Sequence, residues 1–300
     1  MAGALIGLCN GSALSLRDNC RDRSLETQTD LGALGSNMSE TDSLVSIAHD
    51  ERVGTITMND ARRRNALSGE LIEGVVNAIG ELEKARARAI VLRAARGART
   101  WSSGHNVREL PTNGRDPLAY SDPLRLLVRR IQACPSPVIA MVEGGVWGGA
   151  CEVVISCDFT VAAEDATFAI TPARMGVPYN VAGTLNLMHS ANISLVKEML
   201  FCGKPVGAAR AHLVGLVNYV VPPGELEEQT YVLAREIAQN SPMVIALLKE
   251  ELRVLSAAAP LTPDTFERIQ GLRRAVYDSA DYQEGIRAFF EKREPNFSEH

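Results

Sequence analysis

The sequence predicts an α/β protein built on a strand, strand, helix rhythm, and three features say so. Short apolar runs with strand character alternate with stretches whose apolar residues recur at helical spacing. Two turns rich in small residues, Trp101–Leu110 and Val142–Glu152, each follow a short apolar run. From about Ser194 the chain turns mostly helical, interrupted by one short strand at Val217–Val221 before Pro222-Pro223-Gly224. The lengths are irregular and no internal repeat is visible.

Leu44–Ala48 and Val53–Met58 read as paired strands around the polar turn at His49-Asp50-Glu51. Ser68 is placed to cap a helix whose face is Leu71, Val75, Ile79 and Leu82. Ala89–Leu92 is a strand. The segment Tyr120–Leu124 opens a helix with Leu127 and Ile131 on its apolar stripe, closed near Pro135-Ser136-Pro137. Strand Val138–Val142 leads through the second glycine turn into a helix over Ala150–Cys157, followed by strands at Phe159–Ala162 and Thr167–Ile170. Leu195, Met199, Phe201, Ala209 and Leu213 belong to a helix pair. Helices then cover Glu225–Gln239 and Pro242–Ser256, with two more beyond Pro263, the first striped by Phe266, Ile269, Leu272 or Arg273, and Val276. This helical end has too few apolar contacts of its own to fold alone, so it should pack on the core or on neighbouring subunits.

Three hundred residues with 46% hydrophobic content can bury a sizeable core. A net charge of −5 offers no electrostatic footprint for nucleic acid. No apolar run reaches the roughly 18–20 residues needed to cross a bilayer, so no membrane partner is expected. Six cysteines without a CxxC pair read as reduced thiols in a cytoplasmic protein. The histidines His49, His189, His212 and His300 are isolated, with no metal-ligand spacing, and no metal is expected. Residues 1–43 differ from the rest: they are rich in Ser, Asn, Gly and Thr, carry charge of both signs, and read as a disordered extension. Acidic residues in it (Asp18, Asp22, Glu26, Asp30) argue against a transit peptide. The remainder divides into a core over 44–230 and a helical region over 231–300.

Glycine turns let the backbone approach a ligand and leave amides free to point at an oxygen. Two such turns in one domain could supply two donors to one developing negative charge. Here the residues carry a family likeness. Asn65-Ala66-Leu67, Ser103-Gly104-His105, Gly148–Glu152, Cys157-Asp158, Ala162 and Phe168 resemble the crotonase (enoyl-CoA hydratase/isomerase) superfamily, in order, from about Leu44 to the C-terminus. The stretches Gly104–Pro111, Gly145–Gly149 and Thr171–Asn180 are similar to the branch that decarboxylates methylmalonyl-CoA, as are Glu267–Ser279 and Phe290–Phe297. The resemblance implies a superhelix of β-β-α turns with a C-terminal helical trimerisation region, assembled as a homotrimer or homohexamer. It implies an acyl-CoA thioester substrate whose carbonyl oxygen is bound by the amides of His105 and Gly149. It also implies contacts to the substrate from Arg63, Ser103, Gly104, Asn106, Val107 and Glu152, with Lys292 meeting CoA across a subunit contact.

Hydratases of the superfamily use two glutamates. Glu152 matches the first; Pro172 stands at the second position, and no glutamate replaces it within Ile170–Asn180. One carboxylate cannot run a two-glutamate hydration. A substrate bearing its own carboxylate would also be repelled by a second fixed anion. Thr171 and Tyr179 are neutral donors suited to such a substrate. The expected reaction is loss of CO₂ from methylmalonyl-CoA to give propionyl-CoA, with the thioester as electron sink and no cofactor beyond the CoA of the substrate. The alternatives are an enoyl-CoA hydratase, isomerase or other acyl-CoA lyase of the same fold, and a non-catalytic acyl-CoA-binding protein.

Overall fold

A computed structural model describes residues 43–110, 121–256 and 262–297. The N-terminal extension lies outside them, as do Pro111 and Tyr120. A hairpin of β1 (Val45–Asp50) and β2 (Val53–Met58) leads to α1 (Gly69–Lys84) and β3 (Ala89–Ala94). The chain then winds in three units of two strands and a helix. The first is β4 (Thr100–Ser102) and α2 (Pro123–Ala133) after β3; the second is β5 (Val138–Val142), β6 (Gly145–Trp147) and α3 (Gly149–Ser156). The third is β7 (Phe159–Ala163), β8 (Thr167–Ala169) and α4 (Val181–Ser190). The helix α5 (Ile193–Cys202), β9 (Val206–Gly207), α6 (Ala208–Leu213) and β10 (Tyr219–Val221) follow. Last come α7 (Leu226–Gln239), α8 (Pro242–Ser256), α9 (Pro263–Tyr277) and α10 (Ala280–Glu291).

The first strand of each unit joins a sheet of order β1-β2-β3-β5-β7-β10, parallel from β2 onward. The second strand joins a smaller sheet, β4-β6-β8-β9. The turn that leaves the second strand of each unit for its helix lines the candidate site. Central strands β3 and β5 are buried along their whole length, which explains why they read as unbroken apolar runs. Ile90 and Leu92 face α1 and α2, whereas Ala89 and Val91 face Ala234, Ile237 and Ala238 of α7. Ser68 caps α1 by accepting from the Leu71 amide, and Leu71, Val75, Ile79 and Leu82 are buried on that helix.

Four of the strands and α-helices escape sequence reasoning: β4, β6, β9 and α4. The three strands have two or three residues each, too few to show a period. Helix α4 follows Pro178 and is capped by Asn180, whose side chain accepts from the Gly183 amide. Phe201 and Leu213 lie on α5 and α6, as expected, and stand 74% and 83% exposed. One expectation is corrected. On α9, Leu272 and Val276 face outward while Arg273 and Tyr277 are buried; the side chains of Phe266 and Ile269 lie outside those described. Helix α8 buries no side chain fully, and its tie to the core is polar. Lys249 Nζ donates to Asp158 Oδ2 (2.6 Å) and to the carbonyls of Ile131 (3.0 Å) and Ser136 (3.4 Å).

Candidate active site

The loop Arg62–Leu67 and the turn after β4 are stitched into one piece. Arg64 and Asn65 are in the left-handed region at φ 53° and 48°, which turns the loop onto β4. The Asn65 side-chain amide donates to Trp101 O (2.9 Å), and Ser102 Oγ donates to Asn65 O (2.6 Å). The Ser103 amide donates to Arg64 O (2.9 Å) and the Leu67 amide to Gly104 O (2.8 Å).

Gly104 is required twice over. Its φ is +86°, and a Cβ there would lie 2.4 Å from Trp147 O and 3.2 Å from the Gly149 nitrogen. On the opposing turn, a Cβ on Gly149 would lie 3.6 Å from the His105 nitrogen and 2.8 Å from Leu124 Cδ2. The two glycine turns therefore touch, with the His105 and Gly149 amides side by side. The bridge between Leu67 and His105 uses Gly104 O and the Asn106 amide, so the His105 amide points the other way. Gly149 opens α3, where no carbonyl lies one turn back to accept its amide. Among the described residues neither amide donates to a protein acceptor. Such a pair can hydrogen-bond one oxygen, and the α3 N-terminus favours negative charge there.

Both turns open into a cavity of about 800 Å³. Arg63, Ser103, His105, Asn106, Val107, Gly149, Glu152, Thr171 and Tyr179 all line it. Gly104 is not on its wall; it is buried beneath, where the two turns cross. Lys292 lies elsewhere, as the left-handed cap of α10 in a shallow depression with Arg174 and Phe297. Leu124, Trp147, Val177 and Pro178 add apolar wall, and Pro172 lines the cavity as well. The arginines crowd the loop side: Arg62, Arg63, Arg64 and Arg108.

The acids differ in what they are free to do. Glu152 is fully buried; its Oε2 accepts from Asn180 Nδ2 (2.6 Å) and its Oε1 has no partner. Burial pushes its carboxyl above the usual range, against the opposing pull of the Asn180 bond and the Arg125 charge. Glu109, also on the wall, is committed: it accepts from the Gly69 amide (3.1 Å) and from Asn106 Nδ2 (2.7 Å). The Tyr179 ring is part-exposed to the cavity, but its hydroxyl is buried with no partner. Burial first, then the nearby Glu152, lifts the phenol well above its ordinary range, so it is a donor at any physiological pH.

Three polar residues at the site carry no motif in the sequence. Asn180 links Glu152 to Arg125, whose Nη1 donates to Asn180 Oδ1 (3.2 Å). Asp122 caps α2 through the Leu124 amide (2.8 Å) and also stands 3.6 Å from His105 Nε2. Asp122 before Pro123 is legible as a helix start; its approach to His105 depends on the winding of the chain. No group of three or more potential metal ligands occurs among the described residues, and no described helix is long and apolar enough to cross a membrane.

Two layered sheets whose glycine turns bring unspent amides to one cavity define the class of fold. The chain belongs to the enoyl-CoA hydratase/isomerase family, whose model matches residues 48–300. It is 49% identical to methylmalonyl-CoA decarboxylase of Escherichia coli K12, over 85% of this chain and 98% of that protein. A solved methylmalonyl-CoA decarboxylase in complex with 2-nitronate-propionyl-CoA superposes with a TM-score of 0.84 at 49% identity, covering 86% of this chain and 99% of that one. A putative enoyl-CoA hydratase of Thermus thermophilus is 33% identical over 82% of this chain and 97% of its own length.

Proposed function

We propose that this protein is a carboxy-lyase that converts methylmalonyl-CoA to propionyl-CoA and CO₂. The observation that carries the reading is the pair of unspent amides, His105 and Gly149, opening on a cavity whose wall also carries Tyr179, with its buried, partnerless hydroxyl. The thioester carbonyl oxygen sits between the two amides as in an oxyanion hole. Tyr179, assisted by Thr171, hydrogen-bonds the substrate carboxylate and holds the C–CO₂ bond perpendicular to the thioester plane. As that bond breaks, its electron pair passes into the carbonyl and CO₂ leaves. The enolate oxygen takes up the charge, and each amide contributes on the order of 3 kcal/mol to that state. Protonation at the α-carbon completes the product. The thioester is the electron sink, so no metal, biotin or nucleotide enters the scheme.

Pro172 in place of a second acid, and a buried Glu152 engaged by Asn180, speak against hydration. Arg63 at the mouth, with 60% of its side chain exposed, is placed for CoA phosphate or pantetheine contacts alongside Ser103, Asn106 and Val107. Lys292 reaches CoA only from a neighbouring subunit. A homotrimer or homohexamer is consistent with α8, which leaves Met243, Leu247, Leu252 and Leu255 more than half exposed. Four described cysteines are free, as a cytoplasmic setting would have them.

Assaying methylmalonyl-CoA, malonyl-CoA and crotonyl-CoA side by side tests the reading. CO₂ release from methylmalonyl-CoA with little crotonyl-CoA hydration is expected. Rapid hydration without CO₂ release would overturn it, and tight binding of all three without turnover would favour a non-catalytic acyl-CoA binder.

A further inference from the structure

His105 contributes more than its amide. Its Nδ1 lies 3.3 Å from Asn106 O, and its Nε2 lies 3.6 Å from Asp122 Oδ2. Both neighbours are acceptors only. A neutral imidazole has one N–H and would leave one nitrogen lone pair facing an acceptor; the doubly protonated ring satisfies both sides. The imidazole is 18% exposed and Asp122 only 7%, so the contact is poorly screened. His105 lines the cavity and Asp122 does not, so the pair turns its positive end toward the ligand.

We propose that Asp122 is a positioning residue that holds the His105 side chain as an imidazolium, and that this fixed cation selects acyl-CoA thioesters carrying a free carboxylate. The proposal rests on the decarboxylase reading for the identity of the anion. Because the two ring nitrogens face Asn106 O and the Asp122 carboxylate, the imidazolium acts through its charge rather than as a proton donor to the enolate. CO₂ leaves uncharged, so the attraction is weaker in the transition state than in the bound substrate; losing it raises KM and does not lower kcat.

The surrounding charges are consistent with this. Burial alone would lower the His105 pKa, but the Asp122 carboxylate, the Asn106 carbonyl and Glu109 outweigh it, and the net shift is upward. Arg125, one turn along α2, is turned to Asn180. Arg108 is the cation on the cavity wall from the 3-10 turn that carries Glu109. From α3 the facing group is Glu152, whose carboxyl burial raises. From the far wall it is Tyr179, neutral at physiological pH.

Asp122→Asn separates the role in charge from the role in structure, since asparagine caps a helix as well as aspartate does. The side-chain nitrogens of His105 are followed by NMR titration in the wild-type protein and in D122N, with His105→Gln to assign the signals. In parallel, calorimetry measures binding of a non-reacting carboxylated CoA thioether and of its uncarboxylated counterpart. The expected result is a wild-type imidazole that titrates above its ordinary range and falls below it in D122N. The carboxylated ligand should lose about tenfold or more in affinity in D122N and H105Q, the uncarboxylated one about twofold or less. A wild-type His105 that titrates at or below the ordinary value, or equal losses for both ligands, overturns the proposal. The titration needs no turnover. A protein that fails to decarboxylate but shows this selectivity would overturn the proposed reaction and leave the His105–Asp122 pair standing.

Discussion

Replacing Gly104 by alanine tests the coupling between backbone geometry and chemistry most directly. The residue sits at φ +86°, where an L side chain costs roughly 1–2 kcal/mol. The added methyl would meet Trp147 O at 2.4 Å, and backbone cannot rotate out of the way as a side-chain tip can. An ordinary contact needs roughly 1 Å more, so the turn carrying the His105 amide must retreat from the Gly149 turn by about that amount. A retreat of that size removes one of two donors from the enolate oxygen, worth about 10²–10³ in kcat. The assay is CO₂ release with propionyl-CoA quantified by chromatography, alongside a thermal melt to show that G104A is folded. The fall should be in kcat, with propionyl-CoA affinity changed far less. A folded G104A that keeps kcat within about threefold would refute the assignment of the His105 amide to the reacting oxygen.

Tyr179→Phe should slow CO₂ release strongly while the variant is no less stable, because the deleted hydroxyl is buried without a partner in the free protein. Paired kinetics and melts check this, and equal turnover would remove Tyr179 from the mechanism. Glu152→Gln should stabilise in a pH-dependent way. Burial raises the carboxyl in the folded state, so its contribution is complete below the unfolded carboxylate range and declines as pH climbs through the raised folded value. The Tm advantage of E152Q should therefore be small near about pH 4 and grow toward neutrality, and a gap constant across scanning calorimetry runs would show the reasoning wrong. Lys249→Met leaves Asp158 with its charge uncompensated and should cost about 3–5 kcal/mol in urea denaturation, mostly recovered by adding Asp158→Asn. A loss below about 1 kcal/mol would mean that the Lys249–Asp158 contact does not hold α8 to the core.

Much of this architecture is legible in the residues because the core strands are doubly covered and the helices are well capped. The run Ala89–Leu92 is apolar throughout since α1 and α7 shield opposite faces of the same strand, and Ser68 marks the start of α1 by chemistry alone. Most of the second sheet is hidden: only β8 reads as a strand, while β4, β6 and β9 are two or three residues long and held by long-range pairing. The site is readable where it uses backbone, since glycines announce a turn that must approach something closely. It is unreadable where it uses side chains brought in from a later turn of the winding. Asn180 and Arg125 are ordinary polar residues until the fold sets them against Glu152, and Asp122 looks like a simple helix cap. The outward Leu272 misleads for a different reason: an apolar stripe states that a surface will be covered, and is silent on whether the cover is the same chain.

The seam between the Arg62–Leu67 loop and the β4 turn makes the arginine-bearing wall and the His105 turn one rigid frame. Under the proposed function, whatever grips the nucleotide end also sets the depth at which the sulfur end arrives, much as a key's shoulder stops its bit at the right tumbler. Affinity gathered far from the scissile bond is thereby converted into alignment. A clipped thioester with only the terminal cysteamine arm would enter the same hollow without that stop, and should turn over slowly even when saturating.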